Sequence, residues 1–119
     1  MMRRVIIESP YAGSSRWRIV AFFQRRQNRR YARAAVRDSL MRGESPIASH
    51  LLYAHPGILR DEIPGERQRG IDARLAWRNV AEATVIYADR GISKGMMYGI
   101  EAAEAAKIPV EQRTLKRKK

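Results

Sequence analysis

The chain has 119 residues, 24 Lys and Arg against 12 Asp and Glu, a net charge of +12 and a pI near 11.0. Hydrophobic residues make up 45% of it, enough for one packed domain and against wholesale disorder. The absence of cysteine excludes disulfides, thiolate zinc sites and cysteine nucleophiles, and the longest apolar run, Ile19 to Phe23, is too short to span a bilayer.

Arg3 to Glu8 holds the β-branched run Val5-Ile6-Ile7 and predicts a strand buried on both faces, stopped by Ser9-Pro10. Tyr11 to Ser15 reads as a loop. Trp17 to Arg42 reads as helical, in one or two pieces, with Ala32, Ala35, Val36, Ser39 and Leu40 forming a narrow apolar stripe. Ser45 to Leu52 is a candidate second strand, and Tyr53 to Pro64, with Pro56, Gly57 and Pro64, a long loop. Gly65 to Ala83 predicts a helix with Ile71, Leu75, Ala76, Ala73, Trp77 and Val80 on its apolar rows. Thr84 to Ala88 predicts a third strand, ended by Asp89-Arg90-Gly91. Ser93 suits the cap of a helix running to about Lys107, and Val110 to Thr114 a last strand.

Strands alternating with helices predict an α/β fold: a Rossmann-like three-layer sandwich on a four- or five-stranded, mostly parallel sheet. Residues 1–115 form the expected single domain, and 116–119 a basic tail. In such sheets a ligand binds beyond the carboxyl ends of the strands. That locates the site at Glu8 to Gly13, Ser49 to Tyr53 and Asp89 to Gly95. Gly91 and Gly95 permit close backbone approach, and a helix start near Ser93 favours an anion.

The charge is uneven. Arg16, Arg18, Arg25, Arg26, Arg29, Arg30, Arg33 and Arg37 form one group, and Lys116, Arg117, Lys118 and Lys119 close the chain. They read either as a solvated face and a tail or as an attractor of phosphate, including non-specific nucleic acid. Of the interleaved aromatics Trp17, Phe22, Phe23 and Tyr31, two are expected in the core, which weakens a stacking platform for single strands.

Ser9-Pro10-Tyr11-Ala12-Gly13, Asn28-x-x-Tyr31-Ala32-Arg33, His50-Leu51-Leu52-Tyr53, Glu66-Arg67, Ser93-Lys94-Gly95-Met96 and Ile108-Pro109-Val110 occur in that order. Together they resemble the small nucleoside 2-deoxyribosyltransferase-like domains of bacteria and phages, many of them domains of unknown function. The likeness covers most of residues 4–115, with extra residues between Gly13 and Asn28. The resemblance implies a Rossmann-like sheet, a pocket for a nucleoside or nucleotide, and frequent assembly into homo-oligomers. It also implies a glutamate, four residues after the glycine of the last loop-to-helix turn, that attacks the anomeric carbon of the sugar. Counted from Gly95, that position is Gly99, which has no side chain, so weak or absent deoxyribosyl transfer is expected. Glu101 lies about 200° further round a helix and faces elsewhere.

The candidate ligand-binding residues are therefore Tyr11, Gly13, Asn28, Tyr31, His50, Arg67, Ser93, Gly95 and Met96. Each also has an ordinary reading. Tyr11 suits stacking on a base or packing on the sheet edge. Asn28 and Tyr31 suit a ligand or a buried polar pair. His50 suits acid–base work or a structural role, Arg67 a phosphate or a neighbouring acid, and Ser93 a phosphate or its helix cap. Met96 suits the core or the pocket wall. The candidate catalytic carboxylates are Glu8, Asp89 and Glu101; Glu8 suits equally the partner of an arginine, and Asp89 a turn.

The expected function is binding of a nucleoside- or nucleotide-derived ligand by a degenerate transferase-like domain. The alternatives are an active N-glycosidic transferase or hydrolase and a basic, nucleic-acid-associated structural protein. No cofactor, metal site or membrane contact is expected. The lack of cysteine and of an apolar leader fits a cytoplasmic location.

Overall fold

A computed structural model describes residues 2–11, 16–53, 55, 57–60 and 62–116. Its elements run β1 (Arg4–Glu8), α1 (Arg18–Met41), β2 (Ser45–Ile47), α2 (Ser49–Leu52), α3 (Pro64–Arg78), β3 (Ala83–Tyr87), α4 (Lys94–Ala105) and β4 (Val110–Arg113). The four strands form one sheet in the order β2-β1-β3-β4, and every pairing is parallel. The fold is thus the expected Rossmann-like α/β sandwich. The two most apolar strands, β1 and β3, lie at its centre, while Pro46 lies on the edge strand β2, where a missing N–H is tolerated.

The pleat of the central strands sorts the layers. Val5 and Ile7 of β1 and Val85 and Tyr87 of β3 pack with Ala35 of α1 in one core. Their alternates, Ile6, Glu8, Thr84 and Ile86, are equally buried and face the other way. On that side lie α4, whose buried residues are Met96, Gly99 and Ala103, and α3, whose buried residue is Arg78. The chain leaves β1 toward β2 on one side and returns to β3 on the other, so the topological switch point falls between β1 and β3.

Several expectations need correction. Ser45 to Leu52 is not one strand: β2 stops at Ile47, and Ser49–Leu52 closes a single helical turn, with Tyr53 N donating to Ser49 O at 2.7 Å. That turn folds Leu51 onto the core, which a straight strand would not do. α1 is one unbroken helix of 24 residues, about 36 Å long, against about 17 Å for the five residues of β1. It therefore overruns the sheet, and Trp17, Ile19, Phe22 and Phe23 are exposed where two of the aromatics were expected inside. Leu40, Leu75, Trp77 and Val80 are also substantially exposed, because α3 and the end of α1 turn only a narrow stripe inward. Of the eight arginines from Arg16 to Arg37, six are exposed and Arg25 and Arg29 half-buried, as the cost of burying unmatched charge requires. Among the described residues no helix is long and apolar enough to cross a membrane.

Candidate functional site

A cavity of about 490 Å³ opens beyond the carboxyl end of β1, between α2, α3 and the start of α4. The end of β1 supplies Glu8 and Ser9, and Tyr11 follows in the loop. α2 supplies Ser49 and His50, and α4 brings Ser93, Lys94, Gly95 and Met96. α3 contributes Arg67, Gly70, Ile71 and Arg74, a set spaced at three and four residues on one helix face.

Ser93 caps α4: its side chain accepts from Met96 N at 3.3 Å, while Ser93 N donates to Met96 Sδ. Met96 is thereby buried under the helix start and forms both core and pocket wall. The first-turn amides of Lys94 and Gly95 have no intrahelical acceptor. Lys94, Arg67 and Arg74 line the same cavity, against the carboxylates Glu8 and Glu66, so the lining carries a net positive charge and the helix start suits an anion.

The opposite wall is different in character. Ser9 Oγ and His50 Nε2 are 3.1 Å apart, and the His50 ring tilts against Tyr11 with centroids 5.7 Å apart. Burial, helped by the charge of Arg74, lowers the His50 pKa to about 4, so the imidazole is neutral at neutral pH and acts by hydrogen bonding. Glu8 lies deeper, almost wholly buried, with Oε1 3.4 Å from Arg78 NH2. Burial pushes the Glu8 carboxyl up, against the pull of Arg74 and Arg78. Arg78 Nε and NH1 and Arg74 Nε are buried with no hydrogen-bond partner among the described residues.

Thus Tyr11, His50, Arg67, Ser93, Gly95 and Met96 border one cavity, as does Glu8. Gly13 lies outside the described residues. Asn28 and Tyr31 are not brought to the cavity. Asn28 donates from Nδ2 to Tyr11 O at 3.3 Å and accepts from Arg90 Nε at 3.0 Å, so it is the buried polar clamp behind Tyr11. Tyr31 OH donates to Asp89 and accepts from Asp89 N at 2.9 Å. The Asp89 carboxylate also accepts from Leu115 N and Lys116 N at 2.8 and 3.1 Å, which fastens the chain end to the sheet. Burial opposes its ionisation, but those hydrogen bonds outweigh it and lower its pKa. Both Asp89 oxygens are committed, and Glu101 is exposed on α4 outside the cavity lining. Of the three candidate carboxylates only Glu8 faces the pocket.

Sequence reasoning missed Arg74, and it placed Ser9 and Tyr53 within the site segments without singling them out. The spacing Arg67, Ile71, Arg74, Arg78 along α3 carried a signal for Arg74. Tyr53, whose hydroxyl accepts from Trp77 Nε1 at 2.8 Å, reaches the lining only through the turn made by α2.

Among the described residues no group of three or more His, Asp or Glu could hold a metal ion. No curated protein matches the chain. Residues 3–113 match the family described as Domain of unknown function (DUF7768), and the chain belongs to that family.

Proposed function

We propose that the cavity binds a nucleoside- or nucleotide-derived ligand. The observation that carries this reading is the convergence, in one cavity at the strand ends, of an anion-friendly helix start and the cations Arg67, Arg74 and Lys94 with the aromatic and hydrogen-bonding groups Tyr11, His50 and Ser9. Phosphate suits the first set, and a base or sugar the second. The likeness of the sequence motifs to nucleoside 2-deoxyribosyltransferase-like domains supports the same ligand class. The test is thermal stabilisation by a panel of nucleosides and their 5′-monophosphates, beside mass spectrometry of small molecules released on denaturation. A ligand at about 100 times its Kd adds about 2.7 kcal/mol to stability. The expected result is a larger shift for monophosphates than for nucleosides, reduced in Arg67→Ala and Arg74→Ala. No shift with any of the panel overturns the reading.

A second reading concerns the N-terminal end of α1. The overrun of α1 exposes Trp17, Phe22 and Phe23 beside Arg16, Arg18 and Arg26, a combination that suits stacking and phosphate contact with a single-stranded nucleic acid. Affinity for an unstructured oligonucleotide is expected to fall at least about tenfold between low and moderate salt. An affinity that stays flat with salt removes this reading.

A further inference from the structure

We propose that Glu8 is the reactive carboxylate of this cavity, delivered from the end of β1 into the volume that a side chain at position 99 of α4 would otherwise fill, and that it attacks the anomeric carbon of a bound N-glycoside. The substrate class rests on the nucleoside reading above; the choice of residue rests on geometry.

A Cβ added at Gly99 would lie 2.5 Å from Glu8 Oε1, 2.6 Å from Cδ and 2.9 Å from Oε2. All three atoms of the carboxyl group therefore stand where residue 99 would begin its side chain. With Glu8 in this position, only glycine fits. Nothing else in the backbone asks for glycine there. Gly99 lies inside α4 and is not among the glycines with positive φ, Gly43, Gly57 and Gly91. A glycine in a helix interior costs about 1 kcal/mol relative to alanine. The glycine and the glutamate are thus two halves of one arrangement, and Gly99 marks a carboxylate supplied from another element rather than one lost.

The same molecule contains a carboxylate held for stability, and Glu8 is not held like it. Glu44 takes two 2.7 Å bonds from Arg113 and a third, at 2.8 Å, from Ser39 Oγ. Glu8 has one 3.4 Å contact to Arg78, whose Nε and NH1 lack partners. The Glu8–Arg78 pair is thus longer and made through fewer bonds than the Glu44–Arg113 pair. It does border the cavity, where burial raises its pKa while the charges of Arg74 and Arg78 pull the other way. Such a group is a nucleophile in waiting.

A Glu8 oxygen forms an ester bond to the anomeric carbon as the carbon–nitrogen bond breaks, and the base leaves with that electron pair and takes a proton from water. Water then adds to the anomeric carbon, the ester carbon–oxygen bond breaks, and Glu8 is restored as the carboxylate while the proton returns to solvent. The sum is N-glycoside plus water to free base plus sugar. Lys94 and the first-turn amides of α4 hold a 5′-phosphate but take no part in bond making.

The test uses the full chain with deoxy- and ribonucleosides and their 5′-monophosphates, reading free base by chromatography and nucleotide binding by thermal shift. The variants are Glu8→Gln, Glu8→Ala, and Glu8→Ala combined with Gly99→Glu. The expected result is base release by the native protein that falls about 10³-fold in Glu8→Gln, while the thermal shift with the same nucleotide changes only a few-fold. The double variant refills the same volume from α4 and is expected to release base at least about tenfold faster than Glu8→Ala. A merely structural Glu8 would not predict that rescue. Base release unchanged in Glu8→Gln overturns the proposal. Nucleotide binding by the native chain without any base release overturns it too, and leaves the binding reading standing. Neither binding nor release overturns both.

Discussion

Replacing Arg113 with alanine is expected to lower the unfolding free energy by about 3 kcal/mol, the scale for breaking a mostly buried pair. Arg113 lies on the edge strand β4, yet its guanidinium reaches both oxygens of Glu44, which stands just before β2. The two side chains are only 11% and 9% exposed. Glu111 at 3.1 Å and Tyr87 OH at 3.3 Å share the guanidinium, and Ser39 of α1 donates to Glu44. The pair thus joins a sheet edge, the end of α1 and the entry to β2 on one face. Without Arg113, Glu44 keeps its buried position and loses two charge-assisted bonds. Urea denaturation checks the effect: the midpoint should fall with an unchanged slope. A double-mutant cycle with Glu44→Gln should show strong coupling. A loss below about 1 kcal/mol would mean that the pair behaves as a surface ion pair.

Acid is expected to destabilise the protein in two stages. The hydrogen bonds from Arg113 hold the Glu44 pKa at about 2, below its ordinary value of 4.5. A carboxyl depressed on folding stabilises above its unfolded pKa, and that stability is lost as pH falls from about 4.5 toward 2. His50 acts higher. Its pKa falls from 6.5 to about 4 on burial, so the unfolded chain binds a proton that the folded chain refuses. Its contribution is complete above about 6.5 and is lost as pH falls toward 4, on the order of 2 kcal/mol after discount for solvent in an open cavity. Glu8 opposes both, since a carboxyl raised on folding favours the folded state below its unfolded pKa and loses that contribution as pH rises. Urea midpoints measured from pH 7 to pH 2.5 should therefore begin to fall near pH 6. In His50→Gln the upper stage should vanish while the lower one persists. An upper stage that survives in that variant would show that another group carries it.

Most of the frame was legible in the residues. Val5-Ile6-Ile7 and Val85-Ile86 are β-branched runs too short and too apolar for anything but central strands, and helical segments between them enforce parallel pairing. Ser93 with a helix after it marked the anion-friendly end. What misled was local pattern at sites where packing had the last word. Leu51 and Leu52 suggested the end of a strand, but one turn of helix buries Leu51 on the core and swings His50 and Tyr53 to the cavity. Two of Trp17, Phe22, Phe23 and Tyr31 were expected in the core, but only Tyr31 packs against it, because a helix twice the length of its strand carries the other three past the sheet.

By itself, then, the sequence determined the order of elements except for α2, the parallel sheet, the strand-end location of the cavity and the excess of arginine on α1. These follow from periodicity, turn residues and charge, which act over a few neighbours. Only the tertiary structure decided which carboxylate reaches the cavity. Gly99, taken alone, reads as a missing side chain, and Glu8, taken alone, as the partner of an arginine. Their meeting is a matter of volume between a strand end and a helix that are remote in the chain, and no local pattern encodes which of two distant residues occupies a shared space.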